Sequence, residues 1–478
     1  MHFFLKIKRD PEDIPPLSVL LASTGIATFM APLDGSIVNI SLVTIARYYS
    51  VDMEEVRWIS LTYLLVITSL ISFVGKLGDR YGNKQVFQLG FLTFSLGSFL
   101  ASFAPNLTML VVARVIQALG AAGTMSNGIA IVTQFTTPKN RGRAIGINSL
   151  IVASALSIGP FLGGFLTEFF GWQSIFLINV PIGVIGIIMV ELNIPSIQTQ
   201  KSKNLDIIGT ILFASALSFF VLGLTMSQNV STRFFGLILI FLSVILVAVL
   251  IPFEQRIKNP IIDFSLFKDR RISLGVIAAV LAYASLNSIS FLLPFYYQDI
   301  REMTQTETGL MIVAMPICMS FIGPMAGYLS EKYDARILSS IGILGLVVAC
   351  FSLITLSPNS NLFFLILITG LAGCAMAFFT SPNSNSIMSA TPKPKLGLVG
   401  GFIGLARNIG FILGITLGSS IFYALLGEEE IPDLITSEFA RSYSDALGLT
   451  FIFFVTIALL GLLLSTLRGP DRKQESRQ

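Results

Sequence analysis

The chain has 478 residues, 53% of them hydrophobic and 12% charged, with a net charge of +4; an average soluble chain is about a quarter charged, so a soluble globule of this composition lacks the polar side chains to cover itself. A mean hydropathy of +0.79 and apolar runs along nearly the whole length describe an all-α polytopic membrane protein. The single histidine, His2, precedes the first apolar run, and Cys318, Cys350 and Cys374 lie far apart inside such runs, which removes His-ligated metals and His acid-base catalysis from the membrane region and suggests neither a zinc site nor a disulfide scaffold.

A hydrocarbon core of about 30 Å takes about 20 apolar helical residues per crossing, because every backbone N–H and C=O in lipid must be paired inside its own segment. In chain order the expected spans are 17–45, 58–74, 86–103, 107–134, 144–168, 172–190, 206–226, 234–252, 272–297, 308–329, 337–356, 361–389, 396–425 and 446–467, fourteen in all. From Leu17 onward the first run is a full span, so no cleavable signal peptide is expected. The three cysteines read as packing residues.

Basic residues test the count, since cytoplasmic loops retain them and one missed span would invert every later loop. With the N-terminus inside, only Arg47, Arg57, Arg233, Arg301 and Arg441 of the 31 Lys and Arg fall outside. Arg114 and Arg407 fall within spans. Both termini are therefore expected in the cytoplasm, and topology explains the basic loops without a nucleic-acid partner. The largest outer loop carries Glu428, Glu429, Glu430, Asp433, Glu438 and Asp445 against Arg441, and no catalytic role is assigned to it.

An internal echo organises the chain. After span 2 the sequence runs Gly75, Lys76, Leu77, Gly78, Asp79, Arg80, Tyr81, Gly82, Asn83, Lys84; after span 10 it runs Gly327, Tyr328, Leu329, Ser330, Glu331, Lys332, Tyr333, Asp334, Ala335, Arg336. Gly, Leu, acid, base, Tyr and a final base recur in register at a displacement of 252 residues. Two six-helix bundles, 17–190 and 272–467, are expected, with spans 7 and 8 (206–252) inserted between them. Parallel halves of this kind build a midplane site that opens to each side in turn.

The first copy resembles the signature loop G-x-L-a-D-r-x-G-r-k of the major facilitator superfamily. Leu33, Asp34, Gly35, Ser36, Ile37, Val38, Asn39 and Ile40 resemble the l-D-x-T-i-v-N-v motif of its fourteen-helix drug:proton antiporters, with Ser36 in place of Thr. Arg114, Gln117 and Gly120 resemble R-x-x-Q-G-x-G, with Ala118 at the first Gly. Gly159, Pro160, Gly163 and Gly164 match the G-P-x-x-G-G core of the antiporter motif, Ala155 replacing its leading Gly. Trp172, Phe176, Asn179, Pro181 and Gly183 resemble W-R-W-x-F-x-x-N-x-P-x-G, with Gln173 and Ser174 at its Arg and second Trp. The resemblance implies the major facilitator fold and outward, proton-coupled transport.

Among individual residues, Asp34 stands out, because a carboxylate at bilayer depth costs about 2.5–3.5 kcal/mol on insertion scales. It lies roughly 17 Å and Arg114 roughly 10 Å from the outer ends of their helices at 1.5 Å per residue, so their depths overlap within side-chain reach. A proton-coupling site and a static Asp34–Arg114 ion pair both fit. Gln117 shares nearly one face with Arg114. Gly75, Asp79, Arg80, Gly82 and Lys84, with Glu331 and Arg336 of the second copy, are expected to gate; the alternative is a topology determinant. Gly159, Pro160, Gly163 and Gly164 permit close approach and a bend. Asn39, Asn148, Tyr283, Asn287 and Asn383, with Gln117 and Arg407, are candidate cavity residues, although each amide also suits helix–helix contact. No carboxylate is evident in spans 9–13, so Arg407 favours an anionic or amphiphilic ligand over a cationic drug, pairing with backbone carbonyls being the alternative.

The whole reads as a monomeric secondary transporter of the cytoplasmic membrane, not an enzyme and without cofactor or metal. It uses inward proton flow to expel lipophilic or amphiphilic small molecules; a lipid or lipid-precursor exporter is the alternative. No G-x-x-x-x-G-K-[ST] loop offers an ATP site.

Overall fold

A computed structural model describes residues 15–136, 138–196, 205–227, 231–257, 260, 262–392, 395–427 and 436–469. Fourteen long helices account for most of them: α1 Leu17–Tyr49, α2 Trp58–Tyr81, α3 Asn83–Ser102, α4 Leu107–Gln134, α5 Pro138–Phe170, α6 Asn179–Asn193, α7 Ile207–Met226, α8 Arg233–Arg256, α9 Arg270–Phe295, α10 Gln305–Lys332, α11 Ala335–Ser352, α12 Leu362–Ala390, α13 Leu396–Leu426 and α14 Ser437–Leu467. Each overlaps one expected span, and no strand occurs among the described residues. Among the described residues, thirteen helices are long and apolar enough to cross a membrane. The fourteenth, α3, carries Lys84, Gln85 and Gln88 in its first turns.

Polar residues placed just before the apolar runs set many helix starts. Asn106 accepts from the Met109 N–H at 2.9 Å ahead of α4, and Thr304 and Glu307 close a capping box on α10. Such caps satisfy backbone donors that the helix leaves open.

The chain divides into two compact units, residues 1–51 with 58–214, and residues 52–57 with 215–478. In the first, α3 packs along α4, and α1 along α5 and α6. Glycines permit the closest crossings: a Cβ at Gly97 would collide with the Gln117 backbone, and one at Gly120 with that of Phe94. In the second unit α9 packs on α13 and α14, while α12 packs on α10 and α11. The short segment 52–57 belongs to this unit. There the Met53 N–H donates to Tyr423 Oη at 2.9 Å, and the buried Arg57 guanidinium donates to Ser419 and meets Glu54 at 3.2 Å.

The two copies of the repeated loop turn at the same register. Gly82 precedes the first residue of α3, and Asp334, its counterpart 252 residues on, precedes the first residue of α11. Gly82 has φ 108°, a conformation that favours glycine. Asp334 instead caps its helix by accepting from the Arg336 N–H at 2.8 Å.

Near the start of α13, Lys395 Nζ donates to Asp263 Oδ2 at 2.6 Å. Partial burial works against the charged form of Asp263, yet hydrogen bonds from Lys395 and Ser265 outweigh it and hold the carboxyl below its ordinary value. A depressed carboxyl adds stability above its unfolded pKa and loses it as pH falls through the lowered one. This tie is therefore intact at neutral pH and lost in strong acid. Because Lys395 is 41% exposed, Lys395→Met is expected to lower thermal stability at pH 7 by no more than about 1 kcal/mol, with no difference from wild type once Asp263 is protonated.

Candidate functional site

The buried polar centre of the first unit lies where α1, α4 and α6 meet. Asp34, Arg114 and Asn179 are each 1% exposed and Gln117 is fully buried. Arg114 Nη1 lies 2.5 Å from Asp34 Oδ2. Gln117 Nε2 donates to Asp34 Oδ1 at 2.7 Å, and Asn179 Nδ2 donates to the same oxygen at 2.9 Å. The carboxylate thus receives a cation on one oxygen and two amides on the other, the arrangement a buried anion requires.

The surrounding groups hold these side chains in place. Arg114 Nη1 also donates to Gln117 Oε1 at 2.5 Å, and its Nε to the Ile59 carbonyl at 3.2 Å. Its guanidinium lies 4.1 Å from the Tyr63 ring centroid and 5.7 Å from that of Phe176. Gln117 Nε2 donates further to Ser98 Oγ at 2.8 Å. Among the described residues, Asn179 Oδ1 is buried without a donor. Rotation of the Asn179 amide would turn that oxygen toward Asp34.

The antiporter-motif glycines form the wall behind this centre. A Cβ at Gly159 would lie 2.5 Å from Ser36 Oγ, and one at Gly163 2.8 Å from the Ile37 carbonyl. Pro160 lies inside α5, and Gly164 is buried. The segment of α1 just after Asp34 therefore rests on side-chain-free surface of α5. Gly163→Leu is expected to separate α1 from α5, costing about 1–3 kcal/mol of stability together with most transport. A thermal-shift assay and a flux assay on the same preparation check both.

The other predicted site residues are spread over both units. Asn39 accepts from Ser60 at 3.1 Å, and Asn148 from Thr28 at 2.8 Å. Tyr283 Oη lies 3.4 Å from Thr380 Oγ1, Asn287 donates to the Phe411 carbonyl at 2.9 Å, and Asn383 donates to that of Gly275 at 3.1 Å. Each of these contacts ties two helices together. Arg407 is half-buried and makes no hydrogen bond or ion pair among the described residues. Gly404, one turn earlier, faces open space.

In the gate loop, Lys84 Nζ lies 3.1 Å from Glu191 Oε2, which also accepts from Gln88 at 2.8 Å. Glu191 thus joins α6 to α3. The Arg80 guanidinium lies 5.4 Å from the Tyr81 ring centroid, and Asp79 has partners of its own. A Cβ at Gly75 would make ordinary contact with Ser126. Arg336 lies 3.7 Å from Asp334. The Glu331 side chain and residues 428–435 lie outside the described residues.

Sequence reasoning brought Asp34, Arg114 and Gln117 together but assigned no site role to Asn179, Ser98 or Tyr63. Asn179 was visible only as one letter of a motif. Ser98 carries no signal apart from the neighbouring Gly97.

Comparison with known proteins agrees with this architecture. The chain is 33% identical over 449 residues to the riboflavin transporter RibZ of Clostridioides difficile, covering 94% of this chain and 96% of that one. It is 28% identical to the multidrug resistance protein Stp of Mycobacterium tuberculosis, covering 87% and 77%. It is 27% identical to a methylenomycin A resistance protein of Bacillus subtilis, covering 85% and 88%. A crystal structure of a bacterial homologue of the human lysosomal transporter Spinster superposes with a TM-score of 0.68 at 15% identity, covering 96% and 98%, a likeness of fold alone. The Major Facilitator Superfamily profile matches residues 24–267 and 275–478, and the chain belongs to that family of multi-pass membrane transporters.

Proposed function

We propose that the chain is a proton-coupled antiporter of the cytoplasmic membrane that exports lipophilic or amphiphilic small molecules, acting as a monomer with both termini in the cytoplasm. On this reading the helices of 17–190 and 272–467 are the two moving bundles and α7–α8 an insert. The buried Asp34–Arg114–Gln117–Asn179 network carries the proposal. It holds one carboxylate by contacts that a single proton rearranges, and Asn179 offers the acceptor that the protonated form needs.

With Asp34 1% exposed, proton exchange requires a second conformation that opens a path to water. Each proton entering at about 100 mV supplies about 2.3 kcal/mol, enough for modest uphill export. Relatives named for multidrug and methylenomycin A resistance support the export direction. The test is flux from proteoliposomes under an imposed pH gradient, with a lipid-scrambling control for the lipid-exporter alternative. Substrate accumulation that ignores the gradient rejects proton coupling.

Arg407 sets the substrate chemistry in this reading. A half-buried cation among the apolar residues of α13, with no partner among the described residues, favours ligands that bring an anionic or strongly accepting group. Hydrogen bonds to a charged group contribute about 1.5–3 kcal/mol. Arg407→Gln is therefore expected to weaken anionic amphiphiles about 10- to 100-fold in competition assays and to leave neutral compounds unchanged. Equal weakening of both classes assigns Arg407 to packing. The 33% identity to RibZ favours a second reading, transport of riboflavin; radiolabelled riboflavin flux measured in both directions decides it.

A further inference from the structure

Two of the three cysteines, read from sequence as separate packing residues, meet in the second unit. Helices α10 and α12 run side by side at a constant offset of 58 residues: Thr369 donates to the Met311 carbonyl and Ser381 to that of Gly323, each at 3.4 Å. A Cβ at Gly373 would collide with the Met315 carbonyl, so the two backbones are close there. Cys318 Sγ lies 3.3 Å from where a Cβ on Gly370 would stand. Cys374 is one turn further along the same face of α12, which sets its thiol beside Cys318. Both thiols are half-buried, whereas Cys350 is fully buried.

We propose that Cys318 and Cys374 form a dithiol site for lipophilic trivalent arsenicals. Thiols are the soft donors that thiophilic elements select, and two on adjacent helices close a chelate that neither closes alone. The setting is apolar, with Ile317, Phe321 and Leu371 exposed nearby, which suits a neutral organic arsenical arriving from lipid. With an arsenoxide, two As–S bonds form as the As=O bond breaks. The oxygen leaves as water with both thiol protons, and arsenic stays trivalent. The product fastens α10 to α12.

The test is intact-mass spectrometry of the purified full-length protein after incubation with phenylarsine oxide. One arsenical per chain, less one water, is expected. The adduct should survive excess 2-mercaptoethanol and be stripped by 2,3-dimercaptopropanol. Cys318→Ser and Cys374→Ser should each abolish the stable adduct, while Cys350→Ser keeps it; Ala variants replace any Ser variant that fails gel filtration. No adduct on the wild type, or a stable adduct on either single variant, overturns the proposal. So does release by the monothiol, which means that the thiols react singly.

Discussion

Asp34→Asn is expected to reduce pH-gradient-driven export to the level of liposomes without protein, while downhill exchange of substrate continues. Asn keeps the size of the side chain and one oxygen that can accept from Arg114, while its amide NH2 takes the place of the oxygen that accepted from Gln117 and Asn179; it has no proton to gain or lose in this range. The variant separates the two readings that the residues alone left open. If the Asp34–Arg114 contact, 2.5 Å long and sealed from water, is only a structural pair, the variant loses stability and retains its response to the gradient. If Asp34 carries the proton, the gradient response is lost even in preparations of unchanged thermal stability. Proton-driven export at the wild-type rate rejects the coupling role. Flux with and without nigericin, beside a melting curve, distinguishes these results.

Arg114→Met has the largest expected effect on stability, about 3–5 kcal/mol, the usual consequence of leaving one buried charge without its partner. Gln117 and Asn179 still donate to Asp34, but neither carries charge, and the Tyr63 and Phe176 rings lose the cation they face. The double variant Asp34→Leu/Arg114→Met removes both charges and is expected to regain most of that loss, since a well-packed apolar pair often replaces a buried ion pair at little cost. Comparing the single and double variants isolates the coupling between the two residues. A double variant as unstable as the single one locates the damage in packing. Neither variant should respond to a proton gradient.

Much of this was legible in the sequence because lipid enforces strict rules. Apolar length fixed the spans, and basic loops checked their count. One deep carboxylate and one deep guanidinium at overlapping depths could be paired before any fold was known. What stayed hidden depends on which helices touch and on which face. Asn179 meets Asp34 only because α6 packs on α1, and Ser98 reaches Gln117 only because Gly97 lets α3 close onto α4. Cys318 and Cys374 are 56 residues apart in sequence, and nothing short of the α10–α12 pairing brings them together. The amides at 39, 148, 287 and 383 illustrate the converse: a polar residue in a span announces that it needs a partner, not whether that partner is a ligand or another helix.

The polarity of α3 bears on how the protein is made. Its ammonium at Lys84 and amide at Gln88 are satisfied by a glutamate 103 residues downstream of Gln88, which leaves the ribosome about 5–20 s later at ordinary elongation rates. In that interval the segment reaches the translocon without its counterion. Final packing of α3 against α6 must therefore wait for a later arrival, and Glu191→Gln should show its defect in nascent chains truncated just after position 200 less than in the completed protein.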